Sequence, residues 1–307
     1  MKTYYSSQKF PAMLKNPVVT LGNFDGVHRA HQKMLQMTRS LAKKKHGKSV
    51  VYTFNPHPVK VLAQASAPPM INTLEQKLEL IEKTGIDVVV LEPFNLKFAH
   101  LEAKKWFEKI IVRNLHAAGV IAGYDFTFGT HRSGTAELLQ ELCRRHHIDC
   151  RILEAQLLNE TLISSTQIRH WVAQGDMRHA ADLLGRPFFI DGQVIQGMGR
   201  GKTLGIRTAN LKVKNELLPQ SGVYACFARV GKRTYPAVTN IGMNPTFGGQ
   251  TLSIETHLLN FKKDVYDQEL RVFFVEKIRE EQTFSSPEEL TRQIQSDIKA
   301  AQKILRH

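Results

Sequence analysis

The chain has 307 residues, 42% of them apolar, and a formal net charge of +14. That length supports two domains with separate cores, and no stretch approaches the ~20 consecutive apolar residues that a membrane span requires. Residues 1–8 lack the apolar core of a signal peptide. Cys143, Cys150 and Cys226 show no metal-ligand spacing, so free thiols and a reducing, cytoplasmic setting are expected. The basic excess is dispersed: residues 43–45 and 144–147 are short clusters at the ends of helix-like segments, where the helix dipole favours cations. There is no basic stripe interleaved with aromatics, so neither a dedicated nucleic-acid partner nor a membrane is expected.

In chain order, Val18-Val19 feeds a glycine-punctuated turn, Gly22-Asn23-Phe24-Asp25-Gly26, ahead of a helical pattern over 34–45. A strand, a tight turn and a helix start make an arrangement that holds phosphate on helix N-terminal amides. His28 and His31 are three residues apart and share one face of that first turn. Two imidazoles there suit a reaction that builds negative charge on a phosphoryl group; the bare alternative is a turn with two surface histidines. A strand over 49–54 then runs into Asn55-Pro56-His57-Pro58, whose prolines stop regular structure and leave His57 at the carboxyl end of the strand.

The spacing predicts a helix over 74–84 with Leu74, Leu78 and Ile81 on one face, and a doubly buried strand over 86–91. A helix over 103–115 and a strand over 119–123 follow. That strand delivers Tyr124-Asp125-Phe126-Thr127-Phe128-Gly129. A helix over 132–147 and a strand over 150–153 complete the alternation, which implies a doubly wound α/β domain. Next, Ser164-Ser165-Thr166 sets hydroxyls at a helix start with Arg169 one turn inward. The serines are explained by plain N-capping, whereas the Arg169 fork suits phosphate oxygens. After a short helix over 176–184, Gly185-Arg186-Pro187 marks a boundary, giving domains 1–185 and 186–307.

Beyond it the pattern changes to short strands over 189–195, 223–230, 235–241, 252–259 and 270–278, with one terminal helix over 287–305. A small closed β-barrel with a packed helix is expected. The loop from Gly197 to Asn210 is glycine-rich and cationic, with Gly197, Gly199, Arg200, Gly201, Lys202 and Gly205; such a loop suits phosphates, or is simply a flexible hairpin. Glu255 lies in an otherwise apolar strand. If it points inward, burial would raise its pKa and prepare it as a base; alternation alone leaves its face open.

Asn23-Phe24-Asp25-Gly26-Val27-His28-Arg29-Ala30-His31 resembles the signature of nucleotidylyltransferases in the bifunctional riboflavin kinase/FAD synthetase branch. Thr53 to Pro58 and Ser164-Ser165-Thr166-Gln167-Ile168-Arg169 resemble further motifs of that family. The loop Gly197 to Asn210, residues 240–248 and residues 254–259 are similar to its flavokinase motifs. The resemblance implies a Rossmann-like nucleotidylyltransferase domain followed by a flavokinase barrel. It implies two ATP-dependent steps, riboflavin to FMN and FMN to FAD with release of pyrophosphate, with Mg2+ as cofactor.

By the resemblance, His28, His31 and Arg169 serve adenylyl transfer. Gly22, Asn23, Phe24, Asp25, Gly26, His57, Asp125, Phe128, Gly129, Ser164, Ser165 and Thr166 bind nucleotide or flavin. Gly197, Gly199, Arg200, Gly201, Lys202 and Gly205 hold phosphates of the kinase reaction, Thr208 and Asn210 ligate Mg2+, and Glu255 is the base. The partners implied are small molecules: ATP, riboflavin, FMN and FAD. Three positions depart from the family: Ala30 replaces glycine, Gln196 replaces histidine, and Arg207 replaces the proline ahead of Thr208-Ala209-Asn210. A weakened kinase is therefore expected, and an adenylyltransferase with a merely flavin-binding second domain is a rival reading. A basic RNA-binding regulator on a decayed scaffold is another, which the intact histidines oppose.

Overall fold

The computed structural model describes residues 1–196, 207–246 and 249–306. Contacts divide the chain into two compact units, Met1–Pro69 with Leu74–Ile163, and Met70–Thr73 with Ser164–His307.

In the first unit, strands β1 (Lys2–Tyr4), β2 (Val18–Leu21), β3 (Ser49–Asn55), β4 (Val88–Pro93), β5 (Gly119–Gly123) and β6 (Asp149–Leu153) form one sheet. Their order is β1-β4-β3-β2-β5-β6, and every pairing is parallel. Helices α1 (Arg29–Lys44), α2 (Pro58–Leu62), α3 (Leu74–Lys83), α4 (Leu96–Ala99), α5 (Ala103–Trp106) and α6 (Ala136–Arg145) run between the strands, and α5 continues as a π-helical stretch over Phe107–Asn114. All four residues of β2 and the run Val88 to Leu91 are buried, as parallel strands covered on both faces must be. The chain winds outward from β2 through β3 to β4, then returns to place β5 on the other side of β2. The crevice between the carboxyl ends of β2 and β5 is therefore the topological switch point, where ligands bind in such sheets.

Local signals misplace several elements. Helix α1 begins at Arg29, with His28 as its N-cap, earlier than the apolar pattern suggests. The expected helix over 132–147 starts only at Ala136. Left-handed backbone at His131 (φ 51°) and Arg132 (φ 55°) cannot continue a right-handed helix, and Thr135 supplies the cap by accepting from the Leu138 N–H at 3.3 Å. The buried residues of α3 are Gln76, Lys77, Leu80 and Ile81, while Leu74 and Leu78 are half-buried. Strand β1 is too short to show a period. It is held at the sheet edge by its ladder to β4, and just beyond it the Glu92 carboxylate accepts from the Ser7 N–H at 2.7 Å. A two-stranded hairpin, β7 (Leu157–Leu158) with β8 (Thr161–Leu162), ends the unit.

In the second unit, α7 (Ser165–Ala173) and α8 (Met177–Leu184) precede the barrel. Gly185, at φ 71°, ends α8 in the left-handed conformation that glycine tolerates. Strands β9 (Phe188–Ile195), β10 (Ala209–Val213), β11 (Gly222–Val230), β12 (Arg233–Thr246), β13 (Gly249–Leu258) and β14 (Glu269–Arg279) close in the order β10-β13-β12-β11-β14-β9. All barrel pairings are antiparallel. Closure pairs each of the six strands with two neighbours. Strand β10 went unseen in the sequence because its five residues follow the glycine-rich loop directly.

The terminal helix α9 (Pro287–Ile304) is capped by Ser286, which accepts from the Glu289 N–H at 3.2 Å. It lays Ala301 on Val223, Ala225, Val238 and Leu259. The Asp297 carboxylate, 3% exposed, takes paired hydrogen bonds from the Arg279 guanidinium at 3.0 and 2.9 Å. A charge buried so deeply is tolerated because both oxygens are satisfied.

Candidate active sites

In the first unit the loop after β2 carries the candidate site. Gly26 has φ 84°, and two larger residues, Phe24 (φ 52°) and Val27 (φ 41°), also sit in the left-handed region. For a β-branched residue that is an outlier, sustained because both side chains are packed in the interior. Strain held by packing is a mark of a site whose geometry matters. Asp25 and His28 are buried as well, at 5% exposure each, so this is not a solvated surface turn.

His28 caps α1: its Nδ1 accepts the His31 N–H at 3.4 Å. An accepting Nδ1 carries no proton, which assigns the neutral ring's hydrogen to Nε2 and makes that nitrogen a donor. The two imidazoles stack with centroids 3.6 Å apart and planes at 18°, and Phe24 packs on His31 at 5.1 Å. The pair thus forms a fixed plate at a helix N-terminus, a place whose free amides suit an anionic group.

The loop is held from below by groups that motif spacing does not announce. The Asn23 carbonyl accepts from Thr53 Oγ1 at 3.2 Å and from Lys77 Nζ at 3.4 Å, and Lys77 Nζ also donates to the Phe54 carbonyl at 3.5 Å. Lys77 therefore ties the β2 loop to the end of β3. Its helical neighbours Leu74, Leu78 and Ile81 gave an apolar stripe, and nothing in that pattern pointed to a buried lysine. Burial pulls its pKa from 10.5 down to about 8, and the Asp25 carboxylate opposes the shift. A lysine whose folded pKa is depressed adds stability only as pH rises through the folded value. Between pH 7.5 and 9.5 the wild-type protein should therefore gain about 2 kcal/mol relative to Lys77→Met. Urea unfolding of both proteins at matched pH values measures this, and parallel profiles would contradict it.

The remaining first-unit candidates take more ordinary positions. His57 caps α2, its Nδ1 accepting from the Val59 N–H at 3.2 Å, just past the cis Asn55–Pro56 bond. Asp125 is exposed in a turn closed by the Phe126 N–H on the Gly123 carbonyl at 3.1 Å. This turn follows β5, across the switch point from the histidines. The Phe128 ring lies in the core, 4.9 Å from Trp106. Gly129 has φ 75°, and a Cβ there would lie 2.6 Å from Ala103 backbone atoms, so its lack of a side chain is a packing requirement.

Ser164, Ser165, Thr166 and Arg169 fall in the second unit, at the start of α7. Ser164 Oγ accepts from the Gln167 N–H at 3.3 Å, so the capping reading of the serine holds. Thr166 is exposed, whereas Ser165 and Arg169 are half-buried.

The barrel groups the other candidates. Along β13, Ile254, Thr256 and Leu258 are buried, and Ser253, Glu255 and His257 alternate with them on the opposite face. Glu255 is thus not a core-facing carboxylate, and the burial route to a base does not apply. Register pairs Asn210 and Asn240 with Glu255 from its two neighbouring strands, so the three share one face. Thr208 Oγ1 donates to Glu255 Oε2 at 3.3 Å, and Ser253 Oγ donates to Oε1 at 3.2 Å. Strand pairing singles out Asn240 within the 240–248 motif, and the side-chain hydrogen bond adds Ser253. Gly197, Gly199, Arg200, Gly201, Lys202 and Gly205 lie outside the described residues.

The FAD synthetase family model matches residues 10–167, and the riboflavin kinase family model matches residues 184–305. The chain belongs to the bifunctional riboflavin kinase/FMN adenylyltransferase family. Relatives of that name include those of Buchnera aphidicola (subsp. Schizaphis graminum), 35% identical over 94% of each chain, and Bacillus subtilis, 37% identical over 91% of this chain and 90% of the other. The Escherichia coli K12 relative is 36% identical over 91% and 90%. A crystal structure described as a macrolide-efflux protein from Streptococcus pneumoniae aligns with TM-score 0.88 and 28% identity over 98% of each chain. Among the described residues, no helix is long and apolar enough to cross a membrane. The family's FAD synthetase domain thus holds the His28–His31 plate, and its riboflavin kinase domain holds the Thr208–Glu255 pair.

Proposed function

We propose that the protein makes FMN from riboflavin and FAD from FMN, each with ATP. The observation that carries the first step is Glu255, its two oxygens engaged by Thr208 and Ser253 on one barrel face. Glu255 takes the proton of riboflavin's 5′-hydroxyl as that oxygen bonds to the γ-phosphorus. The bond to the β–γ bridging oxygen breaks and ADP leaves. Thr208 and Asn210 are the proposed holders of Mg2+. Their oxygens are hard donors, and Thr208 keeps lone pairs free while its proton is given to Glu255. Bound there, the ion would neutralise charge on the phosphates.

In the second step an FMN phosphate oxygen attacks the α-phosphorus of ATP, the α–β bridging bond breaks and pyrophosphate leaves. His28, through Nε2–H, and His31 stabilise the charge that develops on the α-phosphoryl oxygens. Gly22, Asn23, Phe24, Asp25 and Gly26 shape the loop that receives the nucleotide, and His57, Asp125, Phe128 and Gly129 are assigned to the same ligand, Phe128 by backing it from the core and Gly129 through its backbone. Ser164, Ser165, Thr166 and Arg169 are assigned to the departing β- and γ-phosphates. Residues 1–185 and 186–307 are the proposed catalytic domains, and the setting is cytoplasmic.

Chromatographic product analysis with MgATP tests this, with riboflavin in one reaction and FMN in another, oxidised and dithionite-reduced. FMN and FAD from riboflavin are the expected products. FAD from FMN with riboflavin untouched would reduce the activity to adenylyl transfer alone.

A further inference from the structure

The residue before Thr208 is clamped to the strand that carries Glu255. The Arg207 carbonyl lies 2.8 Å from His257 Nδ1. A peptide carbonyl only accepts, so Nδ1 carries the proton, both in that neutral tautomer and in the imidazolium. The Arg207 guanidinium reaches the other way, donating from Nη1 to the Lys262 carbonyl at 3.3 Å. His257 stands two residues from Glu255 on the same face of β13. Arg207 is thus held at its backbone by β13 and at its side chain by the segment after it. Arg207 also occupies the position where the resembled motif has proline, whose ring would fix the backbone locally.

We propose that His257 and Arg207 are positioning residues of the kinase site. Together they keep Thr208 Oγ1 within hydrogen-bond distance of Glu255 Oε2, a tertiary clamp in place of a proline's fixed dihedral. The inference rests on the kinase reading above. It makes Arg207 part of an alternative solution rather than a lesion, so the departure from the motif does not by itself predict an inactive domain.

The test uses the full-length chain as wild type, His257→Ala, His257→Asn and the double variant Arg207→Pro/His257→Ala. Asparagine places an amide N–H close to where Nδ1 stands, so His257→Asn should stay within about threefold of wild type. His257→Ala should lower kcat for riboflavin phosphorylation about tenfold or more with little change in KM, because positioning errors act on the reacting geometry. Adding Arg207→Pro should recover most of that loss. FMN adenylylation, measured on the same samples, should be unchanged, and circular-dichroism melting that matches wild type reports that the barrel of each variant is folded. An unchanged kcat in His257→Ala, or equal losses in the alanine and asparagine variants, would overturn the clamp.

If wild-type protein phosphorylates no riboflavin, the kinase reading falls, and amide exchange at Thr208, Ala209 and Asn210 still decides the clamp. Faster exchange in His257→Ala than in His257→Asn supports it, and equal exchange overturns it.

Discussion

His31→Ala should lower FAD formation from FMN by about 10²- to 10³-fold while FMN formation from riboflavin stays near wild type. That range corresponds to about 2.7–4 kcal/mol of transition-state stabilisation, the usual loss for one preorganised donor. The variant is a clean probe because the cap of α1 uses the His31 backbone N–H, which alanine retains. Only the ring is removed, with its stack on His28 and its packing on Phe24. Alanine's higher helix propensity offsets part of that packing. His28→Ala would be harder to read, since it deletes the cap acceptor itself and costs about 1 kcal/mol of stability as well. Steady-state rates for both half-reactions on one preparation decide the matter. Equal loss of both activities would contradict two separate sites.

The mirror result is expected for Glu255→Gln. Removing the carboxylate base should cut riboflavin phosphorylation by about 10²-fold or more and leave FAD formation from FMN intact. Glutamine keeps the side chain's length, its oxygen still accepting from one of the Thr208 and Ser253 hydroxyls while its amide N–H donates to the other, so the loss is chemical rather than structural. Near-normal phosphorylation would show that Glu255 does not take the proton. Loss of both activities would contradict two separate sites, and a lowered melting temperature would mark a failure of folding. Taken together, the two variants cross over, each silencing one half-reaction, which is the pattern of two separate sites.

The expected contrast depends on features that reach the surface of the sequence unequally. Chemistry-bearing residues were legible because their spacing is local. A strand, a glycine turn and two histidines on one helical turn fall within fourteen residues, from Val18 to His31. Alternating strands and helices also fixed the class of the first domain, and short strands followed by one helix fixed the barrel, because hydrophobic periodicity records which side of each element is covered. Boundaries were less legible. The start of α6 is set by left-handed backbone at His131 and Arg132, β1 is too short to carry a period, and β10 follows the glycine-rich loop directly.

What the sequence by itself determined is the alternation of the longer strands and helices, the α/β-then-barrel class and the identity of the motif residues. Tertiary structure alone decided how those residues are held. Lys77 reaches the Asn23 and Phe54 carbonyls from a helix whose pattern read as plainly amphipathic. The face of Glu255 follows from the buried Ile254 and Thr256 on either side of it, and its neighbours Asn210 and Asn240 come from strand register. The Arg207–His257 bond spans 50 residues of chain. A local sequence encodes backbone propensity and the side on which a residue is buried. Which distant donor meets which acceptor is settled only when closure of the sheet and barrel brings them within hydrogen-bond range, where leaving a buried polar group unpaired would be costly.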